Sequence, residues 1–190
     1  MLTAPAVRDP MVVRPLRGKP AIFLDRDGTL IEDVGFVSRR EDVRVLPTVI
    51  EALRTFAAAG YACVVVTNQS GIARGYFDAS AVHGVNAEID AQLNARDVKV
   101  DAFYFCPHLD DGCDCRKPEP GMIARAAREH GIDVARSAVI GDRGSDIELG
   151  QRLGIPAVLV PGPEPYVGPE PDFRAQTLLE AAQWIVRRGT

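Results

Sequence analysis

The feature of this 190-residue chain that most restricts its fold is an alternation of short, unbroken apolar runs with segments of helical periodicity. The runs at 21–24 (AIFL), 62–66 (ACVVV), 102–105 (AFYF), 138–140 (AVI) and 157–160 (AVLV) have strand length. None alternates apolar with polar, so each reads as a strand buried on both faces. Between them lie amphipathic helix candidates. Pro47 suits a first helical turn, Ile50, Leu53 and Ala57 give one face, and Gly60 suits the stop. Asp78 or Ser80 can cap a helix whose apolar stripe is Val82, Val85, Ile89 and Leu93. Ile123, Ala126, Ala127 and His130 precede Gly131, and a further helix runs from about 145 to 153 before Gly154. Leu178, Leu179, Ala182, Ile185 and Val186 give residues 177–188 a face that can dock on the body. This order predicts an α/β fold: a doubly wound, mainly parallel sheet with helices on both faces, whose ligands bind beyond the carboxyl ends of the strands.

Residues 1–19 hold three prolines and no clear period, so they read as an irregular N-terminal arm, with residues 20–190 as a single domain. The proline-rich stretch 161–172 reads as a surface excursion. A net charge of −4 gives no support to general nucleic-acid binding. An anionic substrate stays compatible with that balance, provided that the site supplies its own positive charge. No run approaches the about 18–20 apolar residues that span a bilayer. The first ten residues lack a signal peptide's apolar core and carry Arg8 and Asp9. A cytoplasmic, monomeric protein with no membrane partner is the expectation. In that setting the four cysteines read as metal ligands or buried thiols rather than a disulfide framework.

The strand-end rule selects the polar residues that follow each apolar run. Residues 21–24 lead into Asp25, Arg26, Asp27, Gly28 and Thr29, residues 64–66 into Thr67 and Asn68, and residues 139–140 into Gly141 and Asp142. Asp25 and Asp27 are two apart, so an extended strand would put both carboxylates on one face. Like charges that close are costly unless a cation lies between them or one is protonated, and with Asp142 they suit Mg²⁺. A single strand-end aspartate is as readily a turn or helix cap. The whole set, with Thr67 and Lys117, is not explained that way.

The string from Asp25 to Leu30, DRDGTL, resembles the DxDGT motif of the haloacid dehalogenase-like phosphatases. Thr67, Lys117 and the segment GDRGSD at 141–146 fall in chain order as that superfamily's remaining motifs. The resemblance implies that Asp25 attacks phosphorus and becomes an aspartyl-phosphate, while Asp27 serves as general acid and then base. It further implies that Thr67, Arg116 and Lys117 engage the phosphoryl group. Asp25, Asp142 and the Asp27 main-chain carbonyl would hold Mg²⁺, with Asp146 behind them.

A second constellation is narrower. Cys106, His108, Cys113 and Cys115 supply three thiols and an imidazole within ten residues, the number and chemistry of a tetrahedral structural Zn²⁺ site. Cys63, inside an apolar run, reads as a small buried hydrophobe. The zinc loop followed by Arg116, Lys117 and Pro118 is similar to that of the branch containing heptose-bisphosphate and histidinol-phosphate phosphatases. Residues 67–75 (TNQSGIARG) resemble the heptose enzymes, while the four residues between His108 and Cys113 resemble the histidinol enzymes. The likeness implies substrate contacts from Asp33, Val34, Gly35, Phe36, Thr67, Asn68, Gln69, Ser70, Arg116, Lys117 and Arg143. It implies a small phosphorylated substrate: D-glycero-D-manno-heptose 1,7-bisphosphate losing its 7-phosphate, with histidinol phosphate or another sugar or polyol phosphate as the alternatives. The segments between motifs are too short for a large cap domain, so an open site shaped by loops is expected.

Overall fold

The structure, a computed structural model, describes residues 7–8, 16–109 and 112–189. Its centre is a seven-stranded sheet. The strands are β1 (Val7–Arg8), β2 (Ala21–Leu24), β3 (Ala62–Asn68), β4 (Ala102–Cys106), β5 (Ala138–Gly141), β6 (Ala157–Leu159) and β7 (Phe173–Arg174), in spatial order β1-β4-β3-β2-β5-β6-β7. Strands β2 to β7 run parallel, and β1 pairs antiparallel with β4. The five apolar runs are the five longest strands.

Successive residues of a strand face opposite ways, and the burial follows that rule. Ile22, Leu24, Cys63, Val65, Phe103, Ile140 and Val158 enter one core with α1 (Val49–Ala58), α2 (Ala79–Asn94) and α5 (Leu178–Arg188). Ala21, Phe23, Val64, Val66, Tyr104 and Val139 enter the other with α3 (Gly121–His130) and α4 (Gly144–Leu153). The helices therefore cover both faces. Cys63 is buried, and burial is the largest cause that pushes its thiol up from the ordinary range.

Local signals set most helix ends. The Asp78 side chain caps α2 by accepting from the Ala81 N–H at 3.0 Å, and Thr177 caps α5 by accepting from the Glu180 N–H. Gly131 and Gly154 close α3 and α4 in the left-handed conformation. The first helix departs from expectation. It begins at Val49, two residues after Pro47, and buries Val49, Ala52, Leu53 and Phe56 while Ala57 is exposed. The α1 stripe is thus turned toward α5, against which it packs closely.

Two short strands escaped the sequence reading. Val7–Arg8, inside the expected arm, pairs with Phe105 and Tyr104, and Leu16 is buried with its N–H donating to the His130 carbonyl. The rest of residues 1–15 lies outside the described residues. Phe173–Arg174 extends the other edge, beside Val158 and Leu159. No helix among the described residues is long and apolar enough to cross a membrane.

Candidate active site

The sheet turns back on itself at β2, which has β3 on one side and β5 on the other. The strands stay parallel, but the order in which they are laid down switches there from one side of β2 to the other, leaving a crevice outside the carboxyl ends of these strands. A cleft of about 610 Å³ occupies it. Asp25 follows β2, Thr67 and Asn68 end β3, and Asp142 follows β5, so three adjacent strands deliver the polar groups that the sequence places at their ends.

Beneath the cleft, carboxylate oxygens of Asp25, Asp142 and Asp146 lie within 4.8 Å of one another, and all three residues are buried. Lys117 neutralises part of that charge. Its Nζ lies 2.8 Å from Asp25 Oδ1 and 2.6 Å from Asp146 Oδ1. Burial pulls the Lys117 ammonium down, and the Asp146 and Asp25 carboxylates more than offset it, so the group sits above its usual value. One cation does not balance three carboxylates. Burial, then the Asp25 and Asp146 charges, push Asp142 up to about 7, and its Oδ1 has no hydrogen-bond partner among the described residues. A buried, orphaned carboxylate oxygen in an acidic triad is what a hard divalent cation would satisfy. Close approach is built in. Gly28 has φ +79°, and a Cβ there would lie 2.5 Å from Asp142 Oδ2.

Asp27 does not join the triad through its side chain. Arg26 donates to it twice, Nε to Oδ2 and Nη2 to Oδ1, each at 3.1 Å, and Gln69 Nε2 donates to Oδ2 at 2.8 Å. Gln69 also donates to Thr67 Oγ1 at 3.0 Å, which ties the ends of β2 and β3 together. Asp146 takes the place in the acidic group that strand alternation alone would give to Asp27. It projects from the first turn of α4, where it also accepts from the Arg143 N–H at 3.1 Å.

Asn68 holds Lys117 in place through backbone mimicry. Its Oδ1 accepts from the Lys117 N–H at 2.9 Å and its Nδ2 donates to the Lys117 carbonyl at 3.1 Å. Beside it, Arg116 Nη1 donates to the His108 carbonyl at 3.1 Å, so the cysteine-rich loop helps to position Arg116. In that loop Cys106 Sγ lies 3.2 Å from Cys115 Sγ and 3.7 Å from Cys113 Sγ, and His108 Nδ1 is 3.4 Å from Cys106 Sγ and 3.3 Å from Cys115 Sγ. Zn–S bonds of about 2.3 Å set tetrahedral edges of roughly 3.8 Å; the two 3.7 Å sulfur separations match that size and the 3.2 Å one is tighter. Hydrogen bonding from Cys115 is the largest cause that brings the Cys106 thiol down to about 6, while the hydrogen bond with Cys106 pushes Cys115 up and burial pushes Cys113 up. Residues 110–111 of the loop lie outside the described residues.

The cleft walls contain most of the expected contacts: Asp33, Gly35, Phe36, Thr67, Asn68, Gln69, Ser70, Arg116, Lys117 and Arg143 all line it. Val34 does not, and its side chain points to solvent, 62% exposed. Arg143 closes one side through an ion pair with Asp33 at 2.9 Å. Phe36, at φ 52°, stands edge-on to Tyr76 with ring centroids 4.9 Å apart. Arg74, Ser145, Pro163 and Glu164 also line the cleft and were not singled out from sequence. Arg74 carried a signal, a cation in the same loop as Ser70. Pro163 and Glu164 carried none, because only folding brings residues 161–172 back over the β5 end.

A buried acidic triad bridged by one lysine, at the switch point of a parallel sheet, is the arrangement of a HAD-type hydrolase site. Comparison with known proteins agrees: residues 114–164 match the HAD-hydrolase-like family model. The chain is 37% identical over 187 residues to the D-glycero-D-manno-heptose-1,7-bisphosphate 7-phosphatase of Thermosynechococcus vestitus, covering 88% of this chain and 95% of that one. It is 39% identical over 176 residues to the D-glycero-beta-D-manno-heptose-1,7-bisphosphate 7-phosphatase of Escherichia coli K12, covering 88% of each. Among solved structures it resembles the D,D-heptose 1,7-bisphosphate phosphatase of B. bronchiseptica complexed with magnesium and phosphate, with a TM-score of 0.79, 32% identity and coverage of 89% and 99%. The chain belongs to this heptose-bisphosphate phosphatase family of HAD-like phosphatases.

Proposed function

We propose that this chain is a cytoplasmic, monomeric, magnesium-dependent phosphomonoesterase that removes the 7-phosphate of D-glycero-D-manno-heptose 1,7-bisphosphate through an aspartyl-phosphate. The observation that carries the reading is the pairing of Asp25 with Lys117 at 2.8 Å beside Asp142 and Asp146, at the floor of the strand-end cleft. Among the described residues, Lys117 Nζ and the Arg26 N–H, at 2.8 Å and 2.7 Å, both meet the Asp25 carboxylate at Oδ1, which leaves Oδ2 for phosphorus. Asp25 attacks the phosphoryl group while Asp27 gives a proton to the leaving alkoxide; a water then attacks the aspartyl-phosphate as Asp27 takes its proton. Thr67 Oγ1, Lys117 Nζ and Arg116 hold phosphoryl oxygens as charge develops on them. Asp25, Asp142 and the Asp27 main-chain carbonyl would hold Mg²⁺, which when bound neutralises the carboxylates and the incoming phosphate. Asp33, Gly35, Phe36, Asn68, Gln69, Ser70 and Arg143 line the space for the sugar.

The names and coverage of the relatives support the substrate. The four-residue spacing between His108 and Cys113 favours histidinol phosphate as the second reading. Comparing kcat/KM for both heptose 1,7-bisphosphate anomers and histidinol phosphate tests the choice. One heptose anomer is expected to lead the panel by at least about 10-fold, the scale of discrimination that a few pocket contacts supply. Faster turnover of histidinol phosphate would overturn the assignment.

Cys106, His108, Cys113 and Cys115 would hold a structural Zn²⁺ with no position left for water. Cys113→Ser should lower Tm, leave the protein short of its expected zinc content of about one per chain, and raise KM through Arg116 and Lys117. Added Mg²⁺ should restore none of these. Full stability and activity in a protein that contains no zinc by metal analysis would refute the zinc site.

A further inference from the structure

Arg26 is the largest fully buried side chain among the described residues, and a charge taken out of water is costly unless its partners are close and well aimed. Those partners are specific. Nε and Nη2 fork onto the Asp27 carboxylate, Nη1 donates to Asn86 Oδ1 of α2 at 3.2 Å, and Nη2 also donates to the Val37 carbonyl at 3.4 Å. Asn86 is itself fully buried on an otherwise apolar helix face, so a polar anchor has been placed deep in the core. From the opposite side Gln69, also buried, grips Asp27 Oδ2 and Thr67 Oγ1 with one amide nitrogen. Asp27, with a side chain 18% exposed, lines the cleft, as do Thr67 and Gln69, whereas Arg26 and Asn86 lie behind it.

We propose that Arg26 is a positioning residue for the proton transfer to the leaving group, with Gln69 as its counterpart from β3. The inference rests on the reading of Asp27 as general acid. As the Asp25 O–P bond forms and the bond from phosphorus to the substrate oxygen breaks, the Asp27 carboxyl proton passes to that oxygen. A lone aspartate side chain samples several rotamers, and the planar Arg26 fork, fixed by Asn86 and Val37, selects the one that faces the cleft. A bidentate fork fixes an orientation as well as a distance, which a lysine ammonium cannot do.

The test is the rate of phosphoenzyme formation with a sugar phosphate and with p-nitrophenyl phosphate, whose leaving group needs no proton. Arg26→Lys keeps the charge and loses the fork. It should slow the sugar phosphate by roughly 10–100-fold with KM within about threefold, and slow p-nitrophenyl phosphate by less than about threefold. Equal losses on both substrates, or no loss, would overturn the positioning role and leave Arg26 as a core anchor. Asp27→Asn run alongside separates the two ideas: if it too is indifferent to the leaving group, the acid assignment fails. If it is selective and Arg26→Lys is not, only the clamp fails. Should circular dichroism show that Arg26→Lys does not fold, Gln69→Met decides, because it removes the other donor to Asp27. It should show the same dependence on leaving group, and equal losses there would also overturn the proposal.

Discussion

Asp25→Asn should abolish turnover, with kcat falling by on the order of 10³ or more while the fold stays intact. The amide is isosteric, so its oxygen can still accept the Arg26 N–H and face Lys117, but it cannot become an acyl phosphate. Stability should not fall, because the substitution removes one of three crowded carboxylates. Asp25 is among the causes that hold both Asp142 and Asp146 above their ordinary range, after burial in each case. Lys117 keeps Asp146 at 2.6 Å as its partner. Steady-state rates on a sugar phosphate, unfolding curves and trapping of labelled phosphoenzyme check the expectation together. Turnover near that of the unmodified enzyme would end the covalent mechanism.

Lys117→Met should lose activity and stability together. Lys117 is buried, its backbone is gripped by Asn68, and its ammonium is the cation paired with Asp25 and Asp146. Methionine fills much the same space and leaves three buried carboxylates without that charge. Breaking a buried pair in this way costs about 3–5 kcal/mol. The loss should be partly reversed by millimolar Mg²⁺, since a cation among Asp25, Asp142 and Asp146 would relieve the same repulsion. Catalysis should stay at least about 10²-fold down with Mg²⁺ present, because the phosphoryl oxygens lose a fixed donor. Urea unfolding with and without Mg²⁺ reads the first effect and kcat the second. A variant as stable as the parent without Mg²⁺ would show that the triad does not depend on Lys117 for its charge balance.

The sequence by itself determined the sheet and the location of the chemistry. Both are local facts: unbroken apolar runs of three to five residues that alternate with helical patterns read as doubly buried strands, and the residue after each run stands at a strand end. Asp25, Thr67 and Asp142 were legible at strand ends on that ground, and the Cys106, His108, Cys113 and Cys115 cluster that could hold a metal was legible because its residues are crowded into ten positions. Tertiary structure decided which carboxylates meet. Strand alternation pairs Asp25 with Asp27, but the chain leaves the β conformation after Leu24 and hands Asp27 to Arg26 and Gln69, while α4 carries Asp146 into the triad. The Asn86 anchor was not singled out from the sequence, because its partner Arg26 lies 60 positions away and only folding brings the two together. Short edge strands such as Phe173–Arg174 were likewise out of reach, because two residues carry no period. Their pairing is fixed by the exposed edge of β6, which exists only once the sheet has formed.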